Sequence, residues 1–216
     1  MDAAEIPRAP FPGIAVAKKR IGIYGGSFDP LHYGHLNLAI EIKEHHDLDE
    51  VWLCPATISP HKIDNPPVAA NHRCAMLRHA IEDISFCSIL DIELTRQGPS
   101  YTIDTIKWVM SEYPSSEYNF FLLLGEDILP SFERWHNIEE LVEAIPLLIG
   151  SWDIAKVFKD FSLPSMAMPV SQGLTPIRHI KISSTLVRSR LCQGLYCGHL
   201  VPEKVLDYIY KNGLYT

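Results

Sequence analysis

The sequence predicts an α/β fold: a doubly wound, mostly parallel sheet with helices on both faces. Three observations carry that expectation. Short apolar runs alternate with helix-period segments through most of the 216 residues, which is the rhythm of βαβ units. Tyr118–Leu124 is almost continuously apolar, as a strand covered on both faces must be. The first strand-like run, Ile21–Tyr24, ends on a glycine turn that opens a helix, and open α/β sheets bind ligands at such strand ends.

Taken in order, Ile21–Tyr24 reads as the first strand and a helix follows near 34–46, with Leu36, Ala39 and Ile40 as its apolar positions. Val51–Cys54 is a second short strand, stopped by Pro55. Residues 71–83 are helical in pattern, because Met76, Leu77, Ala80 and Ile81 fall on one face. Ile89–Leu94 reads as extended and Thr102–Glu112 as a helix that ends before Pro114. After the buried strand at 118–124, short helices near 126–133 and 138–144 lead to another buried strand, Pro146–Gly150. The stretch 151–177 shows no clean period around Trp152, Phe158, Phe161, Pro164 and Pro169, and is expected to be a helix followed by a loop. Ile180–Ile182 leads into a helix at 184–192, and 202–212 forms a terminal helix. The result is a Rossmann-like architecture over 20–216 as one domain, with 183–216 as a small C-terminal helical part. Residues 1–19, with Pro7, Pro10 and Pro12, form a loose leader.

Composition removes several functions. An apolar share of 47% and a charged share of 21% are ordinary for a soluble globular protein. A formal charge of −7 argues against a nucleic-acid surface, which needs a basic patch. No apolar run reaches the length of a membrane span, so neither nucleic acid nor membrane is expected as a partner. The start (Met1, Asp2, Glu5) lacks the basic and apolar regions of a secretory signal. Cys54, Cys74, Cys87, Cys192 and Cys197 are odd in number and form no C-x-x-C pair, which favours reduced thiols in a cytoplasm. Cys192, Cys197 and His199 lack a second pair at metal-ligand spacing, so no protein metal site is expected.

The densest chemical signal is Gly25-Gly26-Ser27-Phe28-Asp29-Pro30-Leu31-His32-Tyr33-Gly34-His35. Glycines let a backbone approach an anion, and a helix start favours negative charge through its N–H groups and dipole. His32 and His35 are three apart, so both can point to one side of the first turn and donate hydrogen bonds to phosphate oxygens. The spacing is neither that of a Walker loop nor that of the dinucleotide fingerprint.

His32-x-Gly34-His35 behind this turn resembles the signature of the HxGH nucleotidyltransferases, and four further blocks resemble the nicotinate mononucleotide adenylyltransferase branch in the same order. Ser59-Pro60-His61-Lys62 resembles the family's Pro-His-Lys loop, and a lysine there is a mobile point charge suited to a moving phosphate. Gly98-Pro99-Ser100-Tyr101-Thr102 is a turn into a helix, with Ser100 or Thr102 as the expected cap. The resemblance implies that the backbone around Tyr101 and Thr102 meets the nicotinate carboxylate. Gly125-Glu126-Asp127-Ile128-Leu129 with Trp135 and His136 matches the family's Gly-x-Asp-x-Leu block. The resemblance implies that Asp127 contacts ribose, Trp135 stacks on pyridine and His136 contributes its main chain. Ile182-Ser183-Ser184-Thr185-Leu186-Val187-Arg188 resembles the second signature, whose hydroxyls and arginine hold the ATP phosphates.

The resemblance covers about residues 20–216 and implies transfer of the AMP moiety of ATP to nicotinate mononucleotide in NAD biosynthesis. His32, His35, Lys62 and Arg188 would be the catalytic residues. Gly25, Gly26, Ser27, Phe28 and Ser183 to Thr185 would join the histidines and Arg188 on ATP. Ser27, His61, Lys62, Tyr101, Thr102, Gly125, Asp127, Trp135 and His136 would line the mononucleotide's place. Mg²⁺ would be held mainly by the ATP phosphates. Assembly into a homo-oligomer is left open. Phosphopantetheine or nicotinamide mononucleotide as acceptor, or a non-catalytic nucleotide-binding module, are the alternatives. Two features depart from the family: the leader, and Gly150-Ser151-Trp152-Asp153 where many members carry Arg-Pro-Gly.

Overall fold

The computed structural model describes residues 17–57, 67–96, 98–155, 157 and 164–216. Six strands form one sheet: β1 (Lys19–Gly26), β2 (Glu50–Pro55), β3 (Cys87–Ile89), β4 (Tyr118–Gly125), β5 (Leu147–Ser151) and β6 (Leu174–Pro176). Their order is β3-β2-β1-β4-β5-β6, and each neighbouring pair is parallel. This is the doubly wound order, and its direction of winding reverses between β1 and β4. The helices are α1 (Tyr33–His45), α2 (Ala70–Ile81), α3 (Ile92–Thr95), α4 (Thr102–Glu112), α5 (Leu129–Phe132), α6 (Ile138–Ala144), α7 (Pro164–Gly173), α8 (Ser184–Cys192) and α9 (Glu203–Lys211).

Strand side chains alternate between two cores, one on each face of the sheet. Tyr24, Val51, Leu53, Leu123 and Leu148 pack with α1, α2, α8 and α9. Ile21, Ile23, Leu122, Leu124 and Ile149 pack with α4, α5 and α6. Because both faces are covered, the central strands read as unbroken apolar runs in the sequence. Their carboxyl ends stay uncovered, and the glycine-ended strands β1 and β4 finish side by side there.

Two expectations are corrected. Ile89–Leu94 is not one extended run: the strand stops at Ile89 and the chain turns into α3. Leu90 N–H still donates to Leu53 O at 2.9 Å. Glu93 then turns inward to accept from Thr105 Oγ1 at 2.7 Å, a bond that a continued strand would not make. The stretch 151–177 does hold a helix, α7, but the chain then enters the edge strand β6 rather than a loop. Three residues ending in proline give no periodic signal, and a proline is tolerated at an edge. The leader's residues 1–16 lie outside the described residues, and β1 already begins at Lys19.

Candidate active site

A cavity of about 1420 Å³ opens at the carboxyl ends of β1 and β4. Drug-sized ligand pockets are typically about 300–1,000 Å³, so this one has room for two mononucleotide-sized molecules. The starts of α1, α4 and α8 converge on it.

The start of α1 is closed by its own histidines. His32 is the N-cap, and its Nδ1 accepts from His35 N–H at 3.3 Å, while His35 Nδ1 accepts from His32 N–H at 3.2 Å. This is a capping box built from two imidazoles. Since both Nδ1 atoms accept, a neutral ring carries its proton on Nε2, so each ring is a donor at its far edge. The rings stack with centroids 3.7 Å apart. Burial pushes His32 down to about 4, so it is a neutral donor at pH 7 rather than an imidazolium. Gly34 lies beneath the pair: a Cβ there would stand 3.0 Å from His32 Nδ1. The residue type is set by that close approach.

Below the histidines the turn is held from behind. Phe28 has a φ of 46° and is 1% exposed, packing edge-on against His35 with centroids 5.1 Å apart. Asp29, also buried, accepts from Tyr215 OH at 2.6 Å and from Val68 N–H at 3.3 Å. Arg188 donates to Asp29 O at 2.6 Å and pairs with its carboxylate at 3.5 Å. Arg73, 1% exposed, donates to the main-chain oxygens of Ser27, Thr57 and Val68 at 2.8, 3.1 and 3.0 Å. A guanidinium's rigid fork suits this triple clamp, whereas a lysine could not serve all three.

Most residues expected at the site meet here. Gly25, Gly26, Ser27, His32 and His35 line the cavity, as do Ser183, Ser184 and Thr185 at the start of α8. Ser183 Oγ caps α8 by accepting from Leu186 N–H at 3.2 Å, and Ser184 Oγ donates to Pro30 O at 2.9 Å. On the other side stand Tyr101, Thr102, Gly125, Asp127, Trp135 and His136. Tyr101, not Ser100 or Thr102, is the N-cap of α4, and no side chain caps it. Ser100 Oγ instead accepts from Thr57 N–H at 3.3 Å. The first N–H groups of α4 therefore start at the cavity with no side-chain cap, a favourable place for a carboxylate. His136 packs on Tyr101 with centroids 4.4 Å apart, and Trp135 packs on Phe132 at 5.1 Å. A Cβ at Gly125 would collide with Asp127 Oδ1, which explains the glycine two residues before that carboxylate. Burial raises the Asp127 carboxyl above its ordinary range.

Two expected residues do not reach the cavity wall. Phe28 supports it from beneath, and Arg188 is turned onto Asp29. His61 and Lys62 lie outside the described residues. Sequence reasoning missed Arg73, Glu126 and the basic stretch Arg178-His179-Ile180-Lys181. The stretch could have been found as cations directly before the Ser183–Thr185 hydroxyls. Glu126 accepts from Ser151 Oγ and from Trp152 N–H, the latter at 3.0 Å, so it anchors the Gly150–Asp153 turn that the sequence marks as a departure. Trp152 and His179 stack there with centroids 4.5 Å apart. The chain is acidic overall, yet Arg134, Arg178 and Lys181 give this wall a cationic lining beside the neutral donor His32.

Comparison with known proteins agrees with the geometry. The cytidylyltransferase-like family profile matches residues 23–190. A probable nicotinate-nucleotide adenylyltransferase of Bacillus cytotoxicus is 37% identical over 197 residues, spanning 91% of this chain and 98% of the relative. One of Oceanobacillus iheyensis with the same description is 36% identical over 199 residues, spanning 91% and 97%. The fold is shared with the nicotinic acid mononucleotide adenylyltransferase of Plasmodium falciparum, solved in complex with NaAD. That likeness has a TM-score of 0.73 at 24% identity, over 91% of this chain and 97% of that one. A putative nicotinate-nucleotide adenylyltransferase from Vibrio parahaemolyticus gives 0.65 at 20% identity, over 91% and 95%. With a site of this shape and relatives matched nearly end to end, the chain belongs to the nicotinate-nucleotide adenylyltransferases of the cytidylyltransferase-like family.

Proposed function

We infer that this chain transfers the AMP moiety of ATP to nicotinate mononucleotide, forming nicotinate adenine dinucleotide and pyrophosphate in NAD biosynthesis. The family relationship supports the reaction. Within the chain, the observation that carries it is the convergence of three helix starts on one cavity, the first closed by two stacked histidines.

A phosphate oxygen of the mononucleotide attacks the α-phosphorus of ATP in line, and the bond to the pyrophosphate oxygen breaks. The nucleophile is already an oxyanion, so no general base is needed. Rate comes from positioning and from charge stabilisation. The Nε2–H groups of His32 and His35 donate to the oxygens on which charge builds. Gly25, Gly26 and the α8 start, with Ser183 to Thr185, receive the triphosphate. Arg188 acts from behind, holding the Asp29 turn on which the histidines sit. On the acceptor side, the α4 start at Tyr101 and Thr102 takes the nicotinate carboxylate, Trp135 faces the pyridine ring, and Asp127 takes the ribose hydroxyls. Lys62 and His61 are assigned to the acceptor's phosphate on the motif.

Among the described residues no group of three or more His, Cys, Asp or Glu side chains could hold a metal ion. Mg²⁺ would be held mainly by the ATP phosphates. The five cysteines are free, which fits a cytoplasmic enzyme. No described helix is long and apolar enough to cross a membrane. Incubating the purified chain with ATP and nicotinate mononucleotide should yield nicotinate adenine dinucleotide and pyrophosphate in equal amounts. Absence of both products from folded protein would overturn the reading.

A further inference from the structure

We propose that Arg178 binds the polyphosphate of the nucleoside triphosphate, and that Glu41, on the helix that carries the histidines, positions it. The inference deepens the reaction proposed above and rests on it.

The segment after β6 runs along α1 in the opposite direction. Asn37 Nδ2 donates to Arg178 O at 3.1 Å, and Arg178 N–H donates to Glu41 Oε2 at 3.2 Å. Farther on, Ile182 O lies 3.5 Å from where a Cβ of Gly34 would stand. Residues 178–182 thus form a cavity wall that leads from Glu41 to the histidine turn. Asn37 and Glu41 are one helical turn apart, so both face this wall and grip one residue's carbonyl and amide.

The ion pair itself is asymmetric. Glu41 Oε1 meets Arg178 Nε at 3.1 Å, and the side-chain exposures are 11% for the glutamate and 85% for the arginine. Two exposed partners would be an ordinary surface pair of little consequence. Here a buried carboxylate receives both the amide and the Nε of one residue. That holds the side chain by its Nε and leaves it largely exposed, on a residue that lines the cavity. A planar guanidinium held by Nε still offers its outer edge to phosphate oxygens. Among the described residues Glu41 is the only carboxylate that Arg178 pairs with.

Charge accounting at the α8 start points the same way. Arg188, the arginine of the second signature, is turned onto Asp29 and off the wall. Arg178 and Lys181 are the cations on the wall segment that leads into the Ser183–Thr185 hydroxyls. A polyphosphate reaching from the histidines along α1 would meet Arg178.

The test compares wild type with Arg178→Met, Arg178→Lys, Glu41→Gln and the double variant Glu41→Gln/Arg178→Met. Arg178→Met should raise the KM for ATP on the order of tenfold. It should leave the KM for nicotinate mononucleotide unchanged and kcat within about twofold of wild type. Inhibition by inorganic tripolyphosphate should weaken by a similar factor, Arg178→Lys should recover part of the loss, and Glu41→Gln should show a smaller rise. The double variant removes the buried charge with its partner. It should melt near the wild-type temperature and keep the raised KM, which separates binding from folding. An unchanged ATP KM in Arg178→Met, a rise confined to the mononucleotide, or unaltered tripolyphosphate inhibition would each overturn the proposal. Failure of the wild type to form any dinucleotide would instead overturn the reaction on which it rests.

Discussion

His32 and His35 each accept the other's main-chain N–H, at 3.3 and 3.2 Å, and their rings stack 3.7 Å apart. One pair of contacts thereby caps a helix, fixes two tautomers and turns two Nε2–H donors away from the backbone. Structure and chemistry are inseparable at this turn. His35→Ala should therefore lower kcat by on the order of 10²–10³, as loss of one preorganised donor does, while weakening ATP binding far less. Steady-state kinetics with a binding titration check this, and near-normal turnover in a folded His35→Ala protein would contradict it.

Gly34→Ala tests the geometry without touching a donor. The new methyl would stand 3.0 Å from His32 Nδ1 and 3.1 Å from Cε1, so the ring must shift by a few tenths of an ångström. That displacement strains the bond to His35 N–H and misdirects Nε2. We expect kcat to fall about tenfold or more, with thermal stability lowered by less than about 2 kcal/mol. Wild-type kcat would show that the ring position is unimportant.

Arg73 anchors three main-chain carbonyls from the interior, and its burial lowers its pKa. Arg73→Met should cost about 3 kcal/mol, because three partly buried acceptors lose their donor at once and Asp29 loses a nearby cation. Arg73→Lys should recover only part, since one ammonium cannot copy the fork. Urea unfolding measures both, and a loss under about 1 kcal/mol for Arg73→Met would refute the clamp.

The sequence made the frame of this site readable because its signals were local. Glycines at a strand end, histidines at a helix start and hydroxyls at another can be recognised without knowing what lies opposite. The residues that escaped depend on distant partners. Arg73 sits on a helix whose pattern says nothing of the Ser27 and Thr57 carbonyls it serves. Glu41 and Glu126 look like solvated charges until Arg178 and the Ser151–Trp152 turn are brought beside them. Strand β6 exists because β5 offers it an edge, with Ile149 opposite Leu174, and a three-residue run has no period of its own. Arg188 shows the converse: its place in the second signature implied a phosphate contact, yet its guanidinium is turned onto Asp29.

Acid should unfold this protein partly through His32. An unfolded His32 takes up a proton near pH 6.5, whereas burial holds the folded ring neutral down to about 4. Between those values the unfolded state binds more protons, so stability falls as pH drops through the window and levels off above it. The contribution is on the order of 3 kcal/mol across that range. Burial lowers His46 as well, which adds in the same direction. His32→Asn keeps a side-chain acceptor at the cap but removes the titration, so its urea midpoint should fall less steeply between pH 7 and pH 4.5. Equal slopes in the two proteins would contradict the assignment.

On the reading proposed above, nicotinate mononucleotide is the acceptor and is received at the start of α4, whose N-cap residue supplies no side-chain cap. The amide of nicotinamide would point its NH₂ at N–H donors, leaving polar groups unpaired at about 1–3 kcal/mol each. The decisive measurement is kcat/KM for nicotinate and nicotinamide mononucleotides with saturating ATP under identical conditions. A preference for the nicotinate of roughly 10²-fold or more is expected. Equal values, or a preference for the amide, would contradict it.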